Sequence, residues 1–268
     1  MEQLIQAIIL GILEGLTEFL PVSSTGHLIL AGEWLGFVGE SAKTFKIVIQ
    51  LGAVLAVLVL YWQRFVSLAR DLLSGRLLRK GDGIDILHIV LALLPAVVLG
   101  FILHGFIKQY LFGPEPVLYS LIAGGILMII AERSNRPVTA PEMDDLSYKQ
   151  ALGIGCFQCL ALWPGFSRSG STISGGLLLG TSQKAAAEFT FVISVPVMLG
   201  ATLLDVYESR DVLSAADLPV FLVGLAASFI VAMLAVVTFI SLIKRLRLMW
   251  FALYRFALAA VFYFFVLM

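Results

Sequence analysis

Long apolar segments alternate with short polar ones along this chain, and the lengths of the apolar segments predict its fold. Six of them are long enough to cross a membrane as helices: residues 45–62, 84–104, 116–131, 186–204, 217–243 and 248–267. A spanning helix needs about 20 consecutive apolar residues, with a usual range of roughly 17–25. The pattern therefore predicts an all-α polytopic membrane protein rather than a β-barrel.

Two further apolar segments, residues 4–38 and 150–181, are interrupted in the middle. Each has a short helical stretch, then a break rich in Pro, Ser and Gly, then a second short helical stretch. Broken backbone survives inside a membrane only where protein or a water-filled cavity covers it. We therefore predict that both segments are re-entrant helical hairpins, which enter and leave the membrane on the same side.

The two interrupted segments are copies of each other, because a shift of 144 residues aligns them without a gap. The glycines carry most weight, since glycine marks special backbone geometry. Matching pairs include Gly11 and Gly155, Ser23 and Ser167, Gly26 and Gly170, and Gly36 and Gly180. We predict one membrane domain, 1–268, with repeat 1 at 1–132 (hairpin about 4–38) and repeat 2 at 145–268 (hairpin about 150–181). Each repeat is a hairpin plus three transmembrane helices, an odd number of spans, so the two repeats have inverted topology.

The distribution of loop charges agrees with this topology. The inverted arrangement places most lysines and arginines on one side, which the positive-inside tendency assigns to the cytoplasm. Both termini and the first hairpin then face outward, and the second hairpin enters from the cytoplasm. The predicted cytoplasmic set is Arg64, Arg70, Arg76, Arg79, Lys80, Arg133, Arg136, Lys149, Lys184, Lys244, Arg245 and Arg247, against Lys43, Lys46, Lys108 and Arg210 on the other side.

Composition supports the membrane prediction and narrows the partners. The chain is 60% hydrophobic and 13% charged, whereas soluble domains have roughly 45–50% apolar and about 25% charged residues. A formal net charge of zero gives no indication of nucleic-acid binding. The N-terminus lacks the basic start of a signal peptide, so we expect it to be retained. Cys156 and Cys159 have no further Cys or His nearby to complete a zinc site, so we expect buried thiols.

The first hairpin carries acidic, hydroxyl and imidazole groups in an apolar setting. Residues 14–27 read Glu-Gly-Leu-Thr-Glu-Phe-Leu-Pro-Val-Ser-Ser-Thr-Gly-His. Glu14 and Glu18 share one face if this segment is helical, because i and i+4 are neighbours. Proline then ends or bends the helix. Ser24 or Thr25 could act as a nucleophile and His27 as a general acid or base. The alternative is structural: such hydroxyls are often helix caps, and a lone histidine is often scaffolding.

The second hairpin has lost those acids and carries an arginine among hydroxyls instead. Residues 163–172 read Trp-Pro-Gly-Phe-Ser-Arg-Ser-Gly-Ser-Thr. Arg168 at the start of a helix favours an anion site, because helix N–H groups and the guanidinium both donate hydrogen bonds. The anion we expect is phosphate, and Ser167, Ser169 and Thr172 are the neighbouring hydroxyls. Acids near phosphate suggest a divalent cation, Mg²⁺ or Ca²⁺, held by Glu14 and Glu18.

One further basic residue, Arg255, interrupts the last apolar span. It lies too deep to be a plain interfacial anchor, so we expect it to pair with a carboxylate or a phosphate. The residues alone thus predict a nucleophile at Ser24 or Thr25, a general acid or base at His27, and an anion site at Arg168.

The segments 14–27 and 164–170, together with Tyr254-Arg255-Phe256, resemble the signatures of the undecaprenyl-diphosphatase family, also called bacitracin-resistance proteins. The resemblance covers essentially the whole chain. It implies hydrolysis of undecaprenyl diphosphate to the monophosphate carrier used in cell-wall synthesis, a divalent cation, and a bacterial cytoplasmic membrane with the active site on its outer side. It implies that Glu14, Glu18, Ser24, His27 and Arg168 form the site, joined by Ser167, Thr172 and Arg255. With this resemblance we predict catalytic roles for Glu18, Ser24, His27 and Arg168, cation binding by Glu14 and Glu18, and phosphate binding by Thr25, Ser167, Ser169, Thr172 and Arg255. Expected partners are the polyprenyl diphosphate and membrane lipid, and a homodimer is allowed.

Two other classes of protein are alternatives to a member of this family. Type-2 phosphatidic-acid phosphatases need a histidine nucleophile after their Ser-Arg element, and no histidine follows Arg168 here. A transporter or flippase for a phosphorylated lipid stays open, because inverted repeats and broken helices are equally natural in transporters. Hydrolysis by detergent-purified protein separates the two, because transport needs a sealed membrane.

Overall fold

The computed structural model describes residues 1–37, 39–75, 83–111, 113–208, 217–243 and 245–268. Regular structure within these ranges is helical, apart from one isolated bridge between Ala140 and Thr181. The helices are α1 (Glu2–Thr17), α2 (Ser24–Trp34), α3 (Glu40–Leu60), α4 (Trp62–Leu73), α5 (Ile86–Phe106), α6 (Pro114–Arg133), α7 (Tyr148–Gln158), α8 (Arg168–Leu178), α9 (Gln183–Glu208), α10 (Leu218–Leu242) and α11 (Leu248–Phe262).

All six predicted spans coincide with helices, namely α3, α5, α6, α9, α10 and α11. Five of these are long and apolar enough to cross a membrane individually, and α3 qualifies together with α4, from which it is separated by a bend of 83°. Side chains that face outward from these helices are largely apolar, as expected for contact with lipid. The prediction of an all-α polytopic membrane protein is confirmed.

Helix α4 is an element that the sequence analysis treated as a charged loop. It follows α3 after a single residue, Tyr61, and turns sharply away from it. The hydropathy pattern did not predict this helix, because α4 is amphipathic and too short to span a membrane. Several of the predicted loop cations, Arg76, Arg79, Lys80, Arg210 and Lys244, lie outside the described residues.

Both interrupted segments have the predicted helix–break–helix form. In the first, α1 and α2 flank a break at 18–23, and in the second a 3₁₀ turn at Cys159–Leu162 and a break at 163–167 separate α7 from α8. Helix α1 packs against α10, and its counterpart α7 packs against α5, the counterpart of α10 in the repeat. The first helix of each hairpin thus packs against a span of the other repeat, as expected for a two-fold repeat. The inverted orientation across a membrane stays a prediction.

Helix α1, which carries the two acidic residues, is held very close to α10. A Cβ added at Gly15 would lie 2.5 Å from the carbonyl oxygen of Ser228 and 2.8 Å from the backbone nitrogen of Ala232. Gly11 makes a similar approach to the backbone of Gly224. Because backbone atoms cannot move aside as a flexible side chain can, only glycine allows this approach. The depth of Glu14 and Glu18 in the molecule therefore depends on this glycine face.

Gly15→Ala should consequently destabilise the protein by about 1–3 kcal/mol, the usual range for overpacking. Thermal unfolding of the detergent-purified protein measures this as a lower midpoint. Gly200→Ala is the matched control, because an added Cβ there meets nothing within 4 Å, and it should leave the midpoint unchanged or raise it. Equal midpoints for the two variants would show that the α1–α10 approach is not tight.

The expected burial of the two thiols is wrong. Cys156 is exposed and Cys159 is half-buried, and both are free. Helix α7 turns Ala151, Ile154 and Gly155 into the protein, which leaves Cys156 on the opposite, outward face. This segment is apolar because both its lipid-facing and its core positions are apolar. Hydropathy alone does not distinguish the two kinds of position.

Candidate active site

The tip of the first hairpin is formed by the end of α1 and the start of α2. Helix α1 ends at Thr17, and the Glu18 N–H still donates to the Glu14 carbonyl oxygen at 2.9 Å. The helix stops before Pro21, as predicted, because proline disfavours helical geometry in the residue before it. The carboxylates of Glu14 and Glu18 consequently lie at the end of α1, beside the break.

Two serines start the second helix of each hairpin in the same unusual conformation. Ser23 and Ser167 both have left-handed backbone angles, with φ of 71° and 72°. Each hydroxyl caps its helix by accepting from the N–H three residues later, that of Gly26 or Gly170. Non-glycine residues rarely adopt this region, and such strain is concentrated at functional sites. The 144-residue repeat thus extends to backbone geometry at the two tips.

The central feature of the site is the carboxylate of Glu18, which joins the two hairpins. One of its oxygens forms an ion pair with a guanidinium nitrogen of Arg168, and the other accepts a hydrogen bond of 2.5 Å from the hydroxyl of Ser24. The side chains of Glu18 and Arg168 are 9% and 12% exposed. Little water can therefore screen this pair.

The tips of the two hairpins are in direct contact. The hydroxyl of Ser169 donates to the carbonyl oxygen of Leu20 at 2.9 Å, next to the ion pair between Glu18 and Arg168. Ser24 and Arg168 are the first residues of α2 and α8, so two helix N-termini begin at this point. Helix N-termini favour anions through their unpaired N–H groups and dipole. The arrangement suits an anionic ligand.

The guanidinium of Arg168 still has a donor to offer. Its Nε is buried and has no acceptor within the described residues. Thr172 supports it from behind: the Thr172 hydroxyl donates to the Arg168 carbonyl oxygen at 2.8 Å and accepts from Thr190. Thr172 is fully buried, so its contacts hold the first turn of α8, and its predicted contact with phosphate stays a prediction.

His27 is fixed by contacts on both ring nitrogens. Nδ1 lies 2.7 Å from the carbonyl oxygen of Ser23, and Nε2 lies 2.7 Å from the hydroxyl of Tyr254. A carbonyl oxygen can only accept, so Nδ1 carries the proton, and Nε2 of the neutral ring accepts from Tyr254. The two rings are also stacked, 5.6 Å apart. The structure thus places Glu18, rather than His27, in hydrogen-bond contact with the Ser24 hydroxyl.

Tyr254 is a site residue that the analysis of the separate motifs missed. It lies in α11, far along the chain from both hairpins, and it is 48% exposed. Its only signal in the sequence is its position beside Arg255 in the last span. Tyr254 connects His27 of the first hairpin to the C-terminal helix.

Tyr254→Phe should lower kcat/KM about tenfold for the diphosphate hydrolysis that the resemblance of the hairpin motifs implies, and should lower the thermal midpoint only slightly. The variant keeps the stacked ring but removes one hydrogen bond, which typically contributes about 0.5–1.5 kcal/mol. Steady-state phosphate release gives kcat/KM. Tyr263→Phe is the control, since Tyr263 is an exposed tyrosine just beyond α11. Equal kcat/KM for both variants would show that the contact with His27 does not support activity.

Arg255 has different partners from those expected. Its guanidinium is fully buried and donates to four main-chain carbonyl oxygens, those of Ser120, Leu121, Gly165 and Phe166, at 2.8–3.1 Å. The expected carboxylate partner is therefore wrong, and Arg255 instead joins α6 to the break that precedes α8. Phosphate binding by Arg255 stays a prediction. Gly124 makes room for it, because a Cβ there would lie 2.4 Å from the guanidinium. Its contacts position the segment that carries Arg168.

The remaining predicted hydroxyls differ in their surroundings. Ser167 is the N-cap of α8, and Ser169 is nearly fully buried against Leu20. Thr25 is half-buried in the first turn of α2. The structural alternative therefore holds for Ser23 and Ser167, whereas Ser24 is directed to Glu18.

The two acids offer the donor chemistry of a hard cation. Both carboxylate oxygens of Glu14 are buried without a hydrogen-bond partner among the described residues, and Glu18 and Arg168 are its charged neighbours. Within the described residues, no group of three or more acidic, His or Cys side chains is placed to hold a metal. Mg²⁺ is commonly bound by one or two carboxylates together with substrate phosphates and water. Two carboxylates beside an anion site fit that pattern.

The fold and the site define a class of protein: a multi-pass membrane protein with a buried polar site between two interrupted helical segments. The chain belongs to the family of bacitracin resistance protein BacA, whose sequence model matches residues 7–261. This is the family that the hairpin motifs resemble, and its membership identifies the protein as one of a family of membrane phosphatases.

Proposed function

We propose that the protein hydrolyses undecaprenyl diphosphate to undecaprenyl phosphate and phosphate, which recycles the lipid carrier for cell-wall synthesis and confers bacitracin resistance. The observation that carries the proposal is the position of Glu18, bonded on one side to Arg168 and on the other to the Ser24 hydroxyl. One carboxylate thus connects an anion-binding group to a potential nucleophile. Family membership supports the same reaction.

Binding of the diphosphate is assigned to Arg168 and the N-termini of α2 and α8. The unpaired Nε of Arg168 and the helix N–H groups provide donors that suit phosphate oxygens. A phosphate that binds Arg168 competes with Glu18 for the guanidinium. Glu18 then loses a cationic partner and becomes a better proton acceptor, because a nearby positive charge favours the ionised carboxylate.

The reaction that follows uses the Ser24 hydroxyl. Glu18 accepts the hydroxyl proton, and Ser24 Oγ attacks the terminal phosphorus. The bond from that phosphorus to the bridging oxygen breaks, and undecaprenyl phosphate leaves with the electron pair. Glu18 gives that proton to the departing undecaprenyl phosphate and becomes a carboxylate again. Water then attacks the phosphorus of the phosphoserine and passes a proton to Glu18, which returns it to Ser24 Oγ as the bond between phosphorus and Ser24 breaks and inorganic phosphate is released. His27 holds the Ser23 carbonyl, and with it the turn that presents Ser24.

Glu14 and Glu18 would hold the divalent cation, Mg²⁺ or Ca²⁺. When bound, the cation neutralises phosphate charge beside the two acids. Glu14 fits this role because its two buried oxygens have no partner among the described residues.

The proposed location is the bacterial inner membrane, with the site reached from the outer side. The six spans and the family support a membrane location. The lipid tail would lie against the apolar outer surface of the helices, where polyprenyl chain and membrane lipid share the same environment. A homodimer is compatible with the proposal and is not required by it.

Phosphate release from a prenyl diphosphate by detergent-purified protein tests the reaction. The protein is first treated with a chelator, then assayed with and without added Mg²⁺ or Ca²⁺. Release that depends on the cation is expected. No release with either cation would favour the rival function, transport of a phosphorylated lipid, because transport alone breaks no bond.

A further inference from the structure

Helix α4 leaves the end of a membrane span at nearly a right angle. The bend between α3 and α4 is 83° and lies at a single residue, Tyr61. If α3 crosses the membrane, α4 must run close to parallel with its surface. The position at the end of a span places α4 at the level of the lipid headgroups.

The side chains of α4 suit such an interfacial position. Trp62, Val66 and Leu73 lie on one side of the helix, because residues four and eleven apart share a face. Trp62 is 58% exposed and Leu73 is 88% exposed, so this apolar face is not covered by the protein. Tryptophan is enriched at membrane–water interfaces. On the other side, Leu68 and Asp71 are buried, which attaches α4 to the rest of the protein.

Two cavities run along the polar flank of α4. Their volumes are about 390 Å³ and about 250 Å³, and Gln63 and Ser67 line both. The larger is also lined by Tyr61 and Arg64, the smaller by Trp62, Val66 and Arg70. Since they share two residues, the cavities are neighbours along one flank of α4, and we call them together the α4 groove.

The α4 groove has a positive character. Arg64 forms a hydrogen bond of 2.5 Å with Asp144, which offsets its charge. Arg70 is exposed, and no ion pair involves it within the described parts of the chain. A negatively charged group in the smaller cavity would lie beside Arg70, with the amide of Gln63 and the indole of Trp62 nearby. The apolar face below could contact acyl chains.

We propose that the α4 groove binds the headgroup of an anionic phospholipid of the surrounding membrane. The headgroup phosphate lies against Arg70 and Gln63, and the acyl chains lie over Trp62 and Val66. The charge of the groove, the uncovered apolar face and the bend at Tyr61 select a molecule that is anionic at one end and apolar at the other. The site is separate from Glu18 and Arg168, so the proposal does not depend on hydrolysis.

Native mass spectrometry of the detergent-purified protein, titrated with phosphatidylglycerol or phosphatidylcholine, tests the proposal. The wild type should bind phosphatidylglycerol more tightly than the zwitterionic lipid. Arg70→Gln should weaken phosphatidylglycerol binding about five-fold, the effect expected for one basic side chain at an anionic membrane surface. Arg70→Lys, which keeps the charge, should retain most of the affinity.

Arg136→Gln is the matched control, because Arg136 is an exposed arginine in the connection between α6 and α7. It should bind both lipids as the wild type does. Equal binding of the two lipids by the wild type, unchanged binding by Arg70→Gln, or the same loss in Arg136→Gln would each overturn the proposal. A thermal midpoint equal to that of the wild type, measured on the same samples, shows that Arg70→Gln is folded.

Discussion

Arg168→Gln is expected to lower kcat/KM for prenyl diphosphate by about 10³-fold, because it removes the cationic donor aimed at the phosphate. It also leaves Glu18 buried without its cationic partner, and an uncompensated buried charge destabilises a protein by about 3–5 kcal/mol. The variant should therefore show both a lower thermal midpoint and a large loss of activity. Arg168→Lys keeps a positive charge but not the planar fork, so it should recover stability better than activity.

The ion pair itself can be isolated with Glu18→Gln and the double variant that carries both changes. If Glu18 and Arg168 act as a unit, the double variant should be more stable than the sum of the two single losses predicts. Arg133→Gln, a change at an exposed arginine at the end of α6, is the control for loss of a guanidinium. Additive losses in the double variant would contradict the direct contact between the two hairpins.

The spans and the interrupted hairpins could be predicted from the sequence because lipid restricts the backbone so strongly. A span must be helical and apolar for its whole length, so α5 or α10 is identified by hydropathy alone. Pro21 and Pro164 mark the breaks because each lies beside serines and a glycine. Proline alone does not mark a break here, since α5 and α9 continue through Pro95 and Pro196. Helix α4 escaped because it is short and amphipathic, and its boundary is a change of direction at Tyr61 rather than a change in composition.

The sequence identified Glu18, Ser24 and Arg168, which the structure brings together, but not the contacts between them. The isolated acids and Arg168 were recognisable because charged groups in apolar segments need a reason to be there. The hydrogen bond between Glu18 and Ser24 depends on the turn at Ser23. No local feature of the sequence indicates the left-handed φ of Ser23. Tyr254 reaches His27 only because α11 packs beside α2, a long-range contact. Arg255 was recognised as buried and charged, but carbonyl partners from α6 and the second break cannot be inferred from its own neighbours.

Ser23 and Ser24 are adjacent hydroxyls with different tasks, and this makes them a matched pair. Ser23 caps α2 through the Gly26 N–H, whereas Ser24 donates to Glu18. Removal of a cap typically costs about 1 kcal/mol of stability. Removal of a nucleophile leaves stability nearly intact and abolishes turnover. The two substitutions therefore separate the structural reading of the hydroxyl cluster from the catalytic one.

Ser24→Ala is expected to reduce kcat by about 10⁴-fold or more, the scale seen when a nucleophile is removed, with a thermal midpoint close to that of the wild type. Ser23→Ala should instead lower the midpoint and keep most of the turnover. Acid quenching with substrate labelled on its terminal phosphate should trap label on Ser24 in the wild type and none in Ser24→Ala. Full activity in Ser24→Ala would remove it from the reaction, and a large loss of activity without any trapped label would leave Ser24 positioning water, with Glu18 as the base.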